Sequence, residues 1–387
     1  MFKLFFSYSS WAPLRMCAGA LILLGAAVSH AKVEKPQQVV FRPSSHCIAP
    51  QWSPDGKKIA IDVYKPSVES REVWVFDLSP SMQVTRKEQV LPLGVRASRL
   101  SGNKLPPVVE FSWTPDMEML SPPYVFSSQG LNRKNFDIYA DGNWITQANT
   151  GNDGQPVISP DSNYLAYTSQ QKESGDIMMI DFTADLDKPV RLTNTPYATE
   201  YLPQWHPTEP RLLFIRSQKN RGQDIVIIND PKNPEKSRRD LTDWSGDEIR
   251  PHWSPDGKRV AFYSNQDNAN DQVFNLWVIN ADGSGAKQLA KDVIVDDHKG
   301  PAWSADSRHL FFVKRDLTRA NPIQWINIKS NQSGIVTQET QLNSDLSAHH
   351  MSSGETMLAY TAKGFKGSKD KSWRRIFVVK FSMSDLK

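Results

Sequence analysis

Charged side chains recur at nearly equal intervals through the middle of this chain. Asp153, Glu200, Glu248 and His298 follow one another at spacings of 47, 48 and 50 residues, with Arg250 and Lys299 close to them in sequence and Glu110 preceding the series. Acids and cations gathered at one concave opening would hold a charged ligand or peptide. Imidazoles add a second chemistry: His298, His349 and His350, if brought to the same opening, would offer three nitrogens to a divalent transition metal. No His or Cys pair has the tight spacing of a zinc site, and His349 and His350 face opposite ways if they lie on a strand. No cofactor is expected other than a metal at those histidines.

Several other chemistries are excluded or weakened. The chain has no Gly-x-Ser-x-Gly elbow and no room for an α/β-hydrolase domain. Asp282-Gly283-Ser284-Gly285 reads as a hairpin turn and not a phosphate loop. The polar run Asn265 to Asp271 lacks the Gly and terminal Glu of a helix-loop-helix calcium site, so it is expected to be an inter-strand loop.

The elements that must position these residues are set by an internal repeat. Trp52-Ser53-Pro54-Asp55-Gly56-Lys57-Lys58-Ile59-Ala60 aligns without gaps to Trp253-Ser254-Pro255-Asp256-Gly257-Lys258-Arg259-Val260-Ala261. Shorter copies begin at Trp113, Trp205 and Trp303, and two that have lost the Trp begin at Ile158 and Met351. Pro presets φ at the second turn position, Asp bonds the turn backbone and Gly accepts positive φ, so the motif is a hairpin turn between two strands. After each copy comes an alternating β-branched and aromatic strand: Val73 to Asp77, Phe136 to Tyr139, Ile177 to Asp181, Ile225 to Asn229, Leu276 to Asn280, Ile323 to Asn327 and Ile376 to Val379. Segments such as Arg191-Leu192-Thr193 supply a fourth strand.

Seven copies starting near 52, 113, 158, 205, 253, 303 and 351 predict an all-β chain. The expected fold is a seven-bladed β-propeller of four-stranded antiparallel blades spanning residues 32–387. The long first interval places an extended loop or hairpin between Ser79 and Pro107. The last copy lacks a strand, and Gln37 to Phe41 is expected to supply it and close the ring. In each blade the strand entering the turn should be innermost. Five residues before the Trp position, Cys47, Val108, Asp153, Glu200, Glu248, His298 and Leu346 are then expected around the channel. Asp153, Glu200, Glu248, Arg250, His298 and Lys299 form the candidate partner-binding mouth.

At the amino terminus Lys3 and Arg15 precede an apolar run from Met16 to Val28 and the pattern Ser29-His30-Ala31. Residues 1–31 read as a signal peptide cleaved after Ala31, with an uncleaved anchor as the alternative. No later segment reaches transmembrane length. The formal net charge of +4 falls to about +2 without Lys3 and Arg15, which gives no support to nucleic-acid binding. Cys47 would then be the only cysteine, so no internal disulfide can form.

The Trp-Ser-Pro-Asp-Gly-Lys-x-Ile/Val-Ala pattern resembles the PD40, or WD40-like, repeats of the TolB-like propeller family. The resemblance implies the fold over nearly the whole mature chain. It departs from TolB in having seven units and in starting them without a preceding α/β domain. It implies a periplasmic, non-catalytic binding scaffold for an envelope protein or peptide. The seven-bladed oligogalacturonate lyases are similar in size and repeat type, and imply the alternative: a metal-dependent polysaccharide lyase with its site at the channel mouth.

Overall fold

The computed structural model describes residues 29–30, 33–92 and 106–385, apart from 131–133, 141–142, 147–150, 172–173, 185–187, 269, 296–298, 318–319 and 368–371. Seven antiparallel blades follow one another. Their innermost strands are His46–Trp52, Val108–Trp113, Asn152–Ile158, Ala198–Trp205, Glu248–Trp253, Ala302–Trp303 and Ser344–His350. The missing strand of blade seven is Gln37–Val40, antiparallel to Arg375–Ser382 with Gln37 opposite Val378 and Val40 opposite Ile376. Ser29–His30 adds a short parallel strand outside blade six. Val84–Gln89 is the outer strand of blade one, so the excess length of that repeat falls after it; residues 93–105, and residues 1–28 of the expected signal peptide, lie outside the described residues.

The repeated turn works as its residues dictate. Ser53 Oγ donates to Asp55 Oδ1 at 2.6 Å and accepts from the Lys58 amide at 2.9 Å, and Ser159, Ser254 and Ser304 repeat both bonds. These bonds hold each turn Asp carboxyl below the ordinary carboxylate range against the opposing effect of partial burial. Gly56 and Gly257 take φ of 68° and 67°, the left-handed region the turn requires. The Trp before the turn reaches to the neighbouring blade. Trp113, Trp205 and Trp303 donate Nε1–H to the carbonyls of Gln51, Val157 and His252, each at 3.1 Å. Trp52 and Trp253 make no such bond and instead pack against His349 and His206.

The core is divided into seven apolar clusters, one at each seam between neighbouring blades. The second and third strands of each blade supply both of its faces, which is why they read as continuous apolar runs. Each large side chain buried there stabilises the ring by about 1.5–3 kcal/mol.

Candidate functional site

In the six blades where it is described, the residue five places before the Trp position enters the seam, not the channel. Cys47, Val108 and Leu346 belong to the apolar clusters of three seams. Asp153, Glu200 and Glu248 occupy the same place in the seams between blades two and three, three and four, and four and five, and each is 0% exposed. They therefore form a buried acidic arc in place of the solvent-facing acidic mouth expected from spacing. His298, the fourth of the series, lies outside the described residues.

Glu200 and Glu248 each meet a polar set from the preceding blade, and the equivalent residues recur in blade two, before Asp153. The amides of Ile138, Ile177 and Ile225 donate to Thr146, Thr193 and Thr242 Oγ1 at 2.9–3.0 Å, leaving the hydroxyl protons for another acceptor. Asp137, Asp176 and Asp224, one residue before those isoleucines, are buried on the same strands. Glu248 Oε1 accepts from Ser264 Oγ at 2.8 Å. Burial, only partly offset by Ser264 and Thr242 and reinforced by the charges of Asp224 and Asp247, pushes the Glu248 carboxyl up to about 8. Burial raises Glu200 in the same way, with Asp176 adding to it and Thr195, Thr193 and Arg238 opposing it.

What does face the channel is set by a bulge that sequence spacing did not reveal. Ala49, Glu110, Gln155, Leu202 and Arg250, three residues before each Trp position, all have φ of 52–56°. The register slips around each of them in pairing with the second strand. Gly300 occupies the equivalent place in blade six, and a Cβ there would lie 2.4 Å from the Arg250 carbonyl and the His252 ring.

The bulge residues link blade to blade around the lumen. Glu110 Oε2 accepts from the Gln155 amide at 2.8 Å and from Ser127 Oγ at 3.2 Å, and Gln155 Oε1 accepts from the Leu202 amide at 2.7 Å. Glu110 is open to solvent yet ringed by protein, as a group inside a narrow channel is, and its carboxyl is raised by desolvation and by Asp62. In a ring of seven, blade two stands opposite blades five and six. There Arg250 and Lys299 lie close enough to His252 to help desolvation hold its imidazole down at about 4, so it is neutral at physiological pH.

The other histidines are dispersed. His349 packs on Trp52 and over Gly56 of blade one, while His350 bonds the Trp303 carbonyl of blade six at 3.0 Å and Thr356 Oγ1 at 3.1 Å. Both stand at the turn end of the innermost strand, away from Lys299. Among the described residues no group of three or more His, Cys, Asp or Glu is placed to hold a metal ion. The Asn265–Asp271 run is a loop between strands, as expected. Its cup of about 380 Å³ is also lined by Asp247, and its amides are engaged: Asn265 Nδ2 donates to the Asp271 carbonyl, and Gln266 Oε1 accepts from Ser245 and Gly246.

Comparison with solved structures places the chain among propellers. Oligogalacturonate lyase from Vibrio parahaemolyticus shares the fold with a TM-score of 0.56 at 11% identity, over 92% of this chain and all of that one. Prolyl oligopeptidase B from Galerina marginata matches with a TM-score of 0.51 at 11% identity, over 84% of this chain and 48% of that enzyme. TolB from Acinetobacter baumannii matches with a TM-score of 0.49 at 16% identity; the alignment covers 73% of this chain and spans 63% of that protein. No protein-family model matches the sequence, and no curated protein matches it. The likenesses to the lyase and the oligopeptidase support the propeller fold. No described helix is long and apolar enough to cross a membrane.

Proposed function

We propose that this chain is an exported propeller of the TolB-like PD40 class that acts without catalysis, binding an envelope protein or peptide at the channel mouth where successive blades join. What supports this reading is the placement of charge around the ring: Glu110 on blade two, with Asp62 and Arg71 acting on it, stands across the ring from blades five and six, where Arg250 and Lys299 act on His252. An extended chain with charged groups at intervals suits such an opening, and electrostatic matching gives register as well as attraction. The leader-like residues 1–31 support export to the periplasm, and the repeat motif supports the family.

The test is cross-linking in intact cells followed by titration with the purified partner. Reversing both cations, Arg250→Glu with Lys299→Glu, is expected to weaken the partner by about tenfold or more. Unchanged affinity in the doubly reversed chain would overturn the reading.

A lyase acting on acidic polysaccharide is the second reading, favoured by the fold likeness over the entire Vibrio enzyme. It requires stoichiometric metal in the purified chain and unsaturated product from polygalacturonate, both lost on His298→Ala.

A further inference from the structure

We propose that the outer edge of blade six is a strand-accepting site, where an extended, uncharged segment of a protein partner pairs in parallel along Ser333–Thr337. A strand is already seated there. Ser29 stands opposite Gly334 and His30 opposite Ile335, outside a blade that is complete with four strands of its own. Among the described residues the other six blades each stop at four strands.

Residue types explain why this edge takes a fifth strand and the others do not. A sheet edge shows a row of backbone donors and acceptors, and short or charged outer strands keep other chains from it. Blade one ends in Val84–Gln89, with Arg86, Lys87 and Glu88 in succession, and blade five in Lys287–Val293, with Lys287, Lys291 and Asp292. Blade four ends in the all-charged Arg238–Asp240, and blades two and three in the two-residue strands Asn143–Trp144 and Val190–Arg191. On blade seven Gln37–Val40 carries no charge, but Arg375 lies against it, donating to Gln38 Oε1 at 3.5 Å and standing 4.5 Å over the Phe41 ring. Ser333–Thr337 is five residues long, Ser-Gly-Ile-Val-Thr, with no charge and a partly exposed Ile335.

The path of the amino-terminal segment lets this edge be vacated without unlatching the ring. Val33 packs against the apolar cluster of the seam between blades six and seven, which includes Val336, and the Glu34 amide donates to the Lys380 carbonyl at 3.1 Å. Gln37–Val40 then completes blade seven. The expected cleavage after Ala31 would remove Ser29–His30 and leave the closing strand in place. The proposal rests on that cleavage, and it adds a site on the rim of the disc to the channel mouth of the peptide-binding reading. Backbone pairing sets the direction and extended form of the occupant, while the uncharged edge favours small and β-branched side chains over charged ones. The segment around the resident strand, Ala26-Ala27-Val28-Ser29-His30-Ala31, has that composition, with no acid and no Lys or Arg.

Hydrogen exchange tests the proposal on the chain recovered from the envelope, whose mass gives its first residue. The probe is a blocked synthetic peptide of residues 26–31, compared with the same peptide carrying Ser29→Pro and His30→Pro, which cannot donate to the edge. At saturation the first peptide is expected to slow exchange across 333–337 by about tenfold or more, and the proline peptide to leave it unchanged. Ile335→Lys, which puts a charge on the edge, should weaken binding of the peptide about tenfold. Val190→Lys, on the outer strand of blade three, should leave it unchanged. So should Arg250→Glu with Lys299→Glu, the pair that tests the channel mouth, so the two readings can fail separately. Melting curves establish that each variant is folded. Absence of protection, equal protection of Val84–Gln89 or Lys287–Val293, full protection by the proline peptide, or a recovered chain that still carries Ser29–His30 would each overturn the proposal.

Discussion

Glu248 shows how a single side chain can tie the stability of this ring to pH. Its carboxyl is pushed up to about 8 by burial, while the unfolded chain releases that proton near the ordinary carboxylate value of about 4.3. Between those values the folded state holds a proton that the unfolded state has lost, so stability falls as pH rises through the window and is unaffected below it. Glu248→Gln keeps the shape and cannot ionise. Its stability relative to the parent should be nearly level at about pH 4 and should rise by something on the order of 3 kcal/mol above about pH 8. Denaturant titrations across that range measure it, and a difference that does not grow with pH would refute the assignment of a neutral buried Glu248. The alternation of acids along the sequence was legible because the repeat fixes their interval. Their burial was not, since one register slip decides whether a side chain enters the seam or the lumen.

The turn and the bulge act at the level of elements, and they differ in how openly they declare themselves. Ser-Pro-Asp-Gly announces its geometry through residue types. The bulge does not: left-handed backbone is adopted there by Ala49, Glu110, Gln155, Leu202 and Arg250, with no glycine among them to mark it. Each costs about 1 kcal/mol or more in local strain, and the interlocking bonds of Glu110 and Gln155 offset part of that. The turn can be tested through Gly257, where a Cβ would stand 1.9 Å from His206 Nε2 at φ 67°. Gly257→Ala should lower stability by about 2–4 kcal/mol, combining backbone strain with overpacking. Removing the ring as well, with His206→Ala, should recover part of that loss. Strictly additive effects of the two substitutions, read from melting curves, would show that the ring and the glycine are independent.

For the whole molecule, the seven-bladed ring and its closing strand followed from counting: seven turns, seven alternating strands and one strand too few at the end. Gln37–Val40 covers the edge of Arg375–Ser382. Deleting residues 33–41 should therefore expose that edge, lower the melting temperature markedly and promote association of the chains. A truncated chain that stays monomeric with unchanged melting would contradict this role. The channel charges were harder to foresee, because Arg250 and Lys299 were recognised as candidates while the neutral His252 between them was not; its position only makes sense once the bulge has turned the strand.

The three seams that hold the acidic arc are consecutive, and the middle one, between blades three and four, lies across the ring from the closing blade. The disc is thus laced by a borrowed strand on one side and seated on buried acids on the other. Ionising that arc would place like charges in adjacent joints, so the ring is built to spread like a clasp on the side opposite its fastening.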